Sequence, residues 1–149
     1  MPSLEENLIV TLSRTVGAIL KPLFRHISDA GFTPGQFSVL EVLHHKGPRT
    51  VTQLTEDVLS TSGNITVVID NLLKAGWIEK QQGKDDARKR VVTLSPTGEE
   101  KIAAYYPAHK AELKRLLGTT STSEKRALIT ALGSLKGNVD ALNSKDKET

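Results

Sequence analysis

Apolar residues recur with a helical period along most of this chain, and one short central segment breaks the period. Between residues 61 and 75, apolar positions spaced by three and four residues predict one buried stripe on a helix of about fifteen residues. The stripe consists of Ile65, Val68, Ile69, Leu72 and Leu73. Thr61 or Ser60 is suited to cap the start of this helix, and Gly76 is suited to end it.

The segment after Gly76 changes to the composition of two short strands. Residues 77–82 and 90–94 are β-prone, and the mostly polar residues 83–89 between them predict a β-hairpin. From Lys80 to Arg90 there are five basic and two acidic residues, so this tip alone carries the net charge of the whole chain, +3. A polar helix face beside a basic hairpin suits DNA, because helix side chains can reach base edges while the hairpin follows phosphates or enters the minor groove.

Further helices are predicted before this centre. A long apolar stripe covers residues 4–29, and Thr33 with Pro34 and Gln36 forms the start signal of a second, largely buried helix. Residues 49–51 are β-prone and allow a third small strand, before Thr52 caps a short helix. That short helix is expected to be the first helix of a helix-turn-helix.

Two more helices are predicted after the hairpin. The first begins at Ser95, and its apolar stripe contains Ile102, Ala103, Tyr106, Leu113, Leu116 and Leu117. The last is capped by Ser121 or Thr122, and its apolar face contains Leu128, Ile129, Leu132, Leu135, Val139 and Leu142. The tail from Asn143 is expected to fray. Because one winged domain cannot cover the apolar terminal helices, we expect a homodimer that places two recognition helices on successive major-groove faces.

The order of these elements predicts a mainly α fold with a small β-hairpin, that is, a winged helix-turn-helix flanked by N- and C-terminal dimerisation helices, and composition agrees with a mostly helical protein. The 149 residues are 38% apolar and 4% aromatic, and they predict one domain. Within it we expect a DNA-binding lobe at 33–98 and a helical dimerisation lobe formed by 1–31 and 99–149. No long apolar run and no signal-peptide pattern occurs, so we expect a cytoplasmic protein without a membrane partner.

The residues with metal-binding or catalytic chemistry form no recognisable site. The chain has no cysteine and four histidines, and none of the histidines has H-x-x-x-H spacing. Adjacent His44 and His45 point about 100° apart on a helix and rarely share an ion. Phosphate-loop, nucleophile-elbow and zinc-protease motifs are absent as well. We therefore expect no cofactor, no metal and no enzymatic activity.

The hairpin tip and its flanks also carry a family resemblance. Asp86, Ala87 and Arg88, followed by Leu94, Ser95 and Gly98, match the D-x-R…L-[ST]-x-x-G signature of the MarR family of bacterial transcriptional regulators. The helix that ends at residues 72–78 resembles the recognition helix of that family, and the order of elements is similar along nearly the whole chain. The resemblance implies that Arg88 enters the minor groove and that Asp86 orients the wing by pairing with a nearby arginine.

The candidate site residues fall into three groups. Direct reading of bases is assigned to the outward-facing polar residues of the recognition helix, Ser62, Asn64, Thr66 and Asn71. Phosphate contacts are assigned to the basic residues of the hairpin, Lys84, Lys89 and Arg90, beside Arg88. The resemblance further implies a pocket for a small aromatic or phenolic effector. The residues on the elements that would line it, each equally suited to plain core packing, are Phe24, His26, Phe37, His44 and Trp77.

These observations predict a homodimeric, sequence-specific DNA-binding regulator of transcription, a repressor that a small molecule releases from a pseudo-palindromic operator. The alternative is a winged helix that serves as a protein-interaction module or scaffold and does not bind DNA. A protein-binding wing needs apolar contacts at its tip, whereas residues 84–90 read KDDARKR. The charge of the tip therefore favours double-stranded DNA as the partner.

Overall fold

The computed structural model describes residues 1–58 and 64–147, where six helices and a two-stranded hairpin follow one another. In chain order the elements are α1 (Leu4–Asp29), α2 (Pro34–Lys46), α3 (Val51–Asp57), α4 (Ile65–Lys74), β1 (Ile78–Gln82), β2 (Arg90–Leu94), α5 (Pro96–Leu117) and α6 (Thr122–Asp146). The predicted fold class, mainly α with one small hairpin, is confirmed. None of the described helices combines the length and apolar character that a membrane span requires.

Capping boxes begin four of the helices, because a Ser or Thr hydroxyl and a Glu or Gln three residues later satisfy each other's free backbone N–H groups. The box predicted at Thr33 is confirmed, and Ser121 rather than Thr122 caps α6. The prediction for α3 was wrong, since Thr50 and not Thr52 is its N-cap. Thr50 has Gln53 at the reciprocal position, which gives it the complete box.

Two further expectations at element ends were also wrong. Residues 49–51 do not form a third strand, because only Arg49 makes an isolated antiparallel bridge with Val92 before the capping box starts α3. The tail does not fray from Asn143 within the described residues, since α6 continues to Asp146.

The chain divides into two compact units, Met1–Glu112 and Leu113–Thr149. In the first unit α2 is the central helix, and it packs against α1, α3, α4 and β2. Its side chains Phe37, Val39, Leu40 and Leu43 are buried around much of its circumference, as expected for a helix enclosed by neighbours. In the second unit no described residue of α6 is buried, and its apolar stripe is exposed.

The buried face of α5 differs from the predicted one by one position along the helix. Ile102 is buried as predicted, but Tyr105 is buried where Tyr106 was expected, and Ala103 is exposed. The same face continues with two polar residues, His109 and Glu112. Sequence analysis missed this face because it counted only apolar residues, whereas the structure buries polar side chains there.

Candidate nucleic-acid interface

α4 directs an apolar stripe to the core and a polar face to solvent, as its periodicity predicts. Ile65, Ile69 and Leu72 are buried, whereas Thr66 and Asn71 are exposed. Among the described residues, the outer face of α4 is thus exposed to solvent. Two of the predicted base-reading residues, Thr66 and Asn71, therefore lie on the solvent-facing side of α4.

Asn64 is the N-cap of α4, so the helix starts later than predicted and spans ten residues rather than about fifteen. Oδ1 of Asn64 accepts a hydrogen bond of 3.0 Å from the backbone N–H of Thr66. The predicted caps Thr61 and Ser60, and the predicted base reader Ser62, lie outside the described residues. Because the Asn64 oxygen holds the helix start, its amide N–H groups are the donors that remain for a base.

The wing, which we define as β1, β2 and residues 83–89 between them, is closed by backbone hydrogen bonds. The strands pair antiparallel over their full length, and the Gly83 N–H donates to the Lys89 carbonyl at 2.7 Å. A Cβ atom on Gly83 would lie 2.9 Å from the Asp86 carbonyl oxygen, which explains the glycine at this position. The turn is thus tightly built, and it holds the charged tip away from the core.

The basic candidates of the wing are all exposed. They are Lys84, Arg88, Lys89 and Arg90. Asp86 contacts Arg88, but its carboxylate accepts a 3.0 Å hydrogen bond from the backbone N–H. The expected pairing of Asp86 with an arginine side chain is not found among the described residues. Asp86 shapes the turn through the main chain, because a short acidic side chain can satisfy the N–H two residues ahead.

A second acidic residue, which sequence analysis missed, does pair with an arginine. Asp57, the last residue of α3, accepts hydrogen bonds from Lys46 Nζ at 2.6 Å and from Arg49 Nε at 3.3 Å. Lys46 first and then Arg49 hold the pKa of Asp57 below its ordinary value. The signal in the sequence is an acid at the C-terminal end of a helix, where the dipole disfavours it unless cations are nearby.

The end of the wing is joined to α5 through Ser95. Its hydroxyl donates to the Gly76 carbonyl at 2.6 Å and accepts from the Gly98 N–H at 3.1 Å. The Ser95 N–H donates to the Trp77 carbonyl at 3.0 Å. A Cβ atom on Gly98 would overlap the Trp77 carbonyl oxygen and lie 2.8 Å from its carbonyl carbon. Ser95 and Gly98, known from the sequence only as part of a family signature, therefore hold the start of α5 against the backbone of residues 76–77, directly before the wing.

The predicted pocket residues fall into two groups. His26 and Phe37 meet at Tyr105, with His26 Nδ1 2.7 Å from the Tyr105 hydroxyl and the Phe37 ring 5.4 Å from the Tyr105 ring. Trp77 joins this group through Phe32, whose ring centroid lies 5.7 Å from that of Trp77. Phe24, also on α1, is half-buried.

His44 lies in the other group. Its Nδ1 is 2.9 Å from Glu99 Oε1, and its ring packs against those of His45 and Tyr106. In the described residues, no group of three or more His, Cys, Asp or Glu side chains is arranged to hold a metal ion.

Burial changes the ionisation of the first group, which we call the Tyr105 cluster (His26, Phe32, Phe37, Tyr105 and His109). Burial, followed by the charge of Glu112, raises the pKa of Tyr105 to about 12, so the phenol keeps its proton. Burial, and then the nearby His26, lowers the pKa of His109. The cluster is therefore uncharged at neutral pH at these two positions.

His109 adds a polar group without a partner to this cluster. The residue is 4% exposed, and its Nδ1 is buried with no hydrogen-bond partner among the described residues. Its Nε2 lies 3.6 Å from Glu41 Oε1, and burial raises the pKa of that carboxyl. Sequence analysis missed Tyr105, His109 and Glu41, because their proximity arises from helices distant in sequence.

The fold and the sequence both match known regulators. Residues 32–89 match the model of the MarR family. The HTH-type transcriptional regulator YkoM of Bacillus subtilis is 32% identical over 126 residues, which cover 85% of this chain and 82% of YkoM.

Solved structures agree at the level of the fold. A MarR family regulator from Neisseria meningitidis superposes with a TM-score of 0.72 at 22% identity, covering 93% of this chain and 98% of that one. BpsR of Bordetella bronchiseptica, whose DNA binding is regulated by 6-hydroxynicotinic acid, gives 0.76 at 20% identity, with 91% and 97% covered. The identity to YkoM, extending over most of both chains, establishes that this protein belongs to the MarR family of transcriptional regulators.

Proposed function

We propose that this protein is a homodimeric, sequence-specific repressor that binds a pseudo-palindromic operator in the cytoplasm and is released by a small ligand. The observation that carries the DNA-binding part is the exposed polar face of α4 beside a wing whose tip exposes four basic side chains. Residues 33–98 form the DNA-binding lobe in this proposal. Residues 1–31 and 99–149 form the dimerisation lobe.

Each group of candidate residues has its own role on the duplex. In the major groove, the residues that contact base edges are Ser62, Asn64, Thr66 and Asn71. Lys84, Lys89 and Arg90 contact phosphates, and Arg88 enters the minor groove, where a narrow A·T-rich segment concentrates negative potential. Asp86 keeps the wing turn in shape through its bond to the Arg88 backbone.

The homodimer is supported by apolar side chains that the single chain leaves in water. On α6 they include Leu128, Ile129 and Leu142, which are 54%, 71% and 61% exposed. On α1, Leu8 and Ile9 are 46% and 61% exposed. Exposed apolar stripes of this kind mark interfaces, and a second copy of the chain related by a two-fold axis would cover them.

The test of DNA binding is a titration of the purified protein against the DNA upstream of its own gene over a series of salt concentrations. A specific regulator should bind that DNA more tightly than a scrambled duplex, and on both duplexes the logarithm of its binding constant should fall linearly with the logarithm of the salt concentration. A winged helix used only as a protein scaffold would bind neither duplex, and that result would reject the proposed DNA binding.

Release by a ligand is supported by the Tyr105 cluster, where Nδ1 of His109 is buried and has no hydrogen-bond partner in the part of the chain that the structure describes. An aromatic compound with an acceptor or a hydroxyl group would stack on the rings and satisfy that nitrogen. Trp77, the single tryptophan, contacts the cluster through Phe32 and is therefore an intrinsic fluorescent probe. We expect one or more small phenols or aromatic acids to change its emission and to release DNA, and Tyr105→Phe to weaken both effects.

A further inference from the structure

One apolar side chain lies in the middle of the polar face of α4. Val67 is 53% exposed, and its neighbours on that face, Thr66 and Asp70, are exposed as well. Successive helical residues are about 100° apart, so Val67 points roughly 160° away from both Ile65 and Ile69, which are buried. The valine therefore faces directly away from the core and contributes nothing to it.

Val67 also lies at the end of α4 where a recognition helix contacts bases. With Asn64 as N-cap, Val67 is the third helical residue and belongs to the first turn. In a helix-turn-helix protein, the N-terminal residues of the recognition helix are the ones that reach base edges in the major groove. A β-branched residue here lowers helix propensity and gains no burial within the chain, so its apolar surface is available to a partner.

The chemistry of the major groove limits what an isopropyl group can recognise there. Valine has no side-chain donor or acceptor, so it cannot read the hydrogen-bonding edges of any base. Thymine alone among the four DNA bases presents a methyl group in the major groove. We propose that Val67 packs against the 5-methyl group of a thymine and so selects a T·A pair in the operator half-site, an inference that rests on the proposed DNA-binding function.

The test removes the methyl groups of Val67 and the 5-methyl group of the thymine, first separately and then together. A duplex is first selected from a randomised library with the parent protein, and each thymine of a half-site is then replaced in turn by deoxyuridine, which lacks only the methyl group. For the parent we expect one replacement to weaken binding about fourfold, the value of one buried methyl-sized group. For Val67→Ala we expect the same replacement to change affinity by less than about 1.5-fold, because the contact is already lost.

Val51→Ala is the matched control. Val51 is another exposed valine of the same unit, 38% exposed at the start of α3, and its truncation removes the same atoms. This control should retain the full fourfold effect of the thymine methyl. Circular dichroism checks that each variant is folded, and if Val67→Ala is not, the same scan with Val67→Ser, which also lacks both methyl groups of the valine, decides.

The outcomes separate the two levels of the proposal. A parent protein that selects no duplex rejects the DNA-binding function itself. A parent that binds its selected duplex, but with no thymine methyl whose effect depends on Val67, overturns the assignment of Val67 and leaves DNA binding intact. Loss of the methyl effect in Val67→Ala together with its retention in Val51→Ala supports the assignment.

Discussion

Replacing Gly98 with alanine should destabilise the junction between the wing and α5. Gly98 is buried, and a Cβ atom there would overlap the Trp77 carbonyl oxygen and lie 2.8 Å from its carbonyl carbon. The obstacle is backbone and not the end of a flexible side chain. Relief therefore requires α5 to move away from the strand that follows Trp77, which strains the hydrogen bond from Ser95 N–H to the Trp77 carbonyl.

The loss in the free energy of unfolding of Gly98→Ala is the difference between two opposing effects. Forcing one extra methyl group into a packed site costs about 1–3 kcal/mol, and a rigid backbone obstacle puts this site at the upper end, about 3 kcal/mol. Alanine recovers at most about 0.5–1 kcal/mol through better helix propensity and a less flexible unfolded chain. The net loss of about 2–3 kcal/mol corresponds to a Tm lower by roughly 4–12 °C for a domain of this size.

Thermal and urea unfolding followed by circular dichroism measure this loss, with Gly137→Ala as the matched control. Gly137 lies within α6 and has no atom within 4 Å of a built Cβ, so the same substitution should be neutral or stabilising there, by up to about 1 kcal/mol. A Gly98→Ala protein as stable as the parent, with an unchanged urea m-value, would refute the steric argument.

Three further results are expected. Leu132→Glu, on the exposed apolar stripe of α6, should turn a dimer into a monomer in sedimentation velocity, because a carboxylate would be buried twice across a two-fold axis; an unchanged dimer contradicts the interface. Lys84→Ala should weaken binding equally on operator and random DNA and reduce the salt slope by about one, whereas Asn64→Ala should lose affinity mainly on the operator; identical profiles for both variants would reject these roles. Burial lowers the pKa of His109 below its ordinary 6.5, so the imidazole is protonated at a higher pH in the unfolded chain than in the folded one, and the free energy of unfolding should fall as the pH drops below about 6.5. In urea unfolding, His109→Gln should lose less stability over this pH range than the parent, and an equal loss in both proteins would contradict the argument. Glu41, whose raised pKa acts in the opposite direction, is present in both proteins.

Local interactions explain where sequence analysis was accurate and where it was not. The start of α2 was predicted because Thr33, Pro34 and Gln36 satisfy the helix start within four residues. The start of α3 was misplaced by two residues, since Thr50 and Thr52 are both plausible caps and only the position of Gln53 distinguishes them. The wing strands were predicted closely because a change of period and a turn glycine are local signals.

Sequence by itself determined the helical periods, the helix cap at Thr33, the hairpin and the basic charge of its tip, because each depends on residues only a few positions apart. Tertiary structure alone decided which side chains from distant elements meet. Packing of α1, α2 and α5 places His26, Tyr105 and His109 in one cluster and gives His109 its lowered pKa. The close approach of the Trp77 backbone to α5 likewise makes a glycine necessary at position 98. Such contacts depend on the directions of whole helices, which result from the summed burial of many side chains and not from any local pattern.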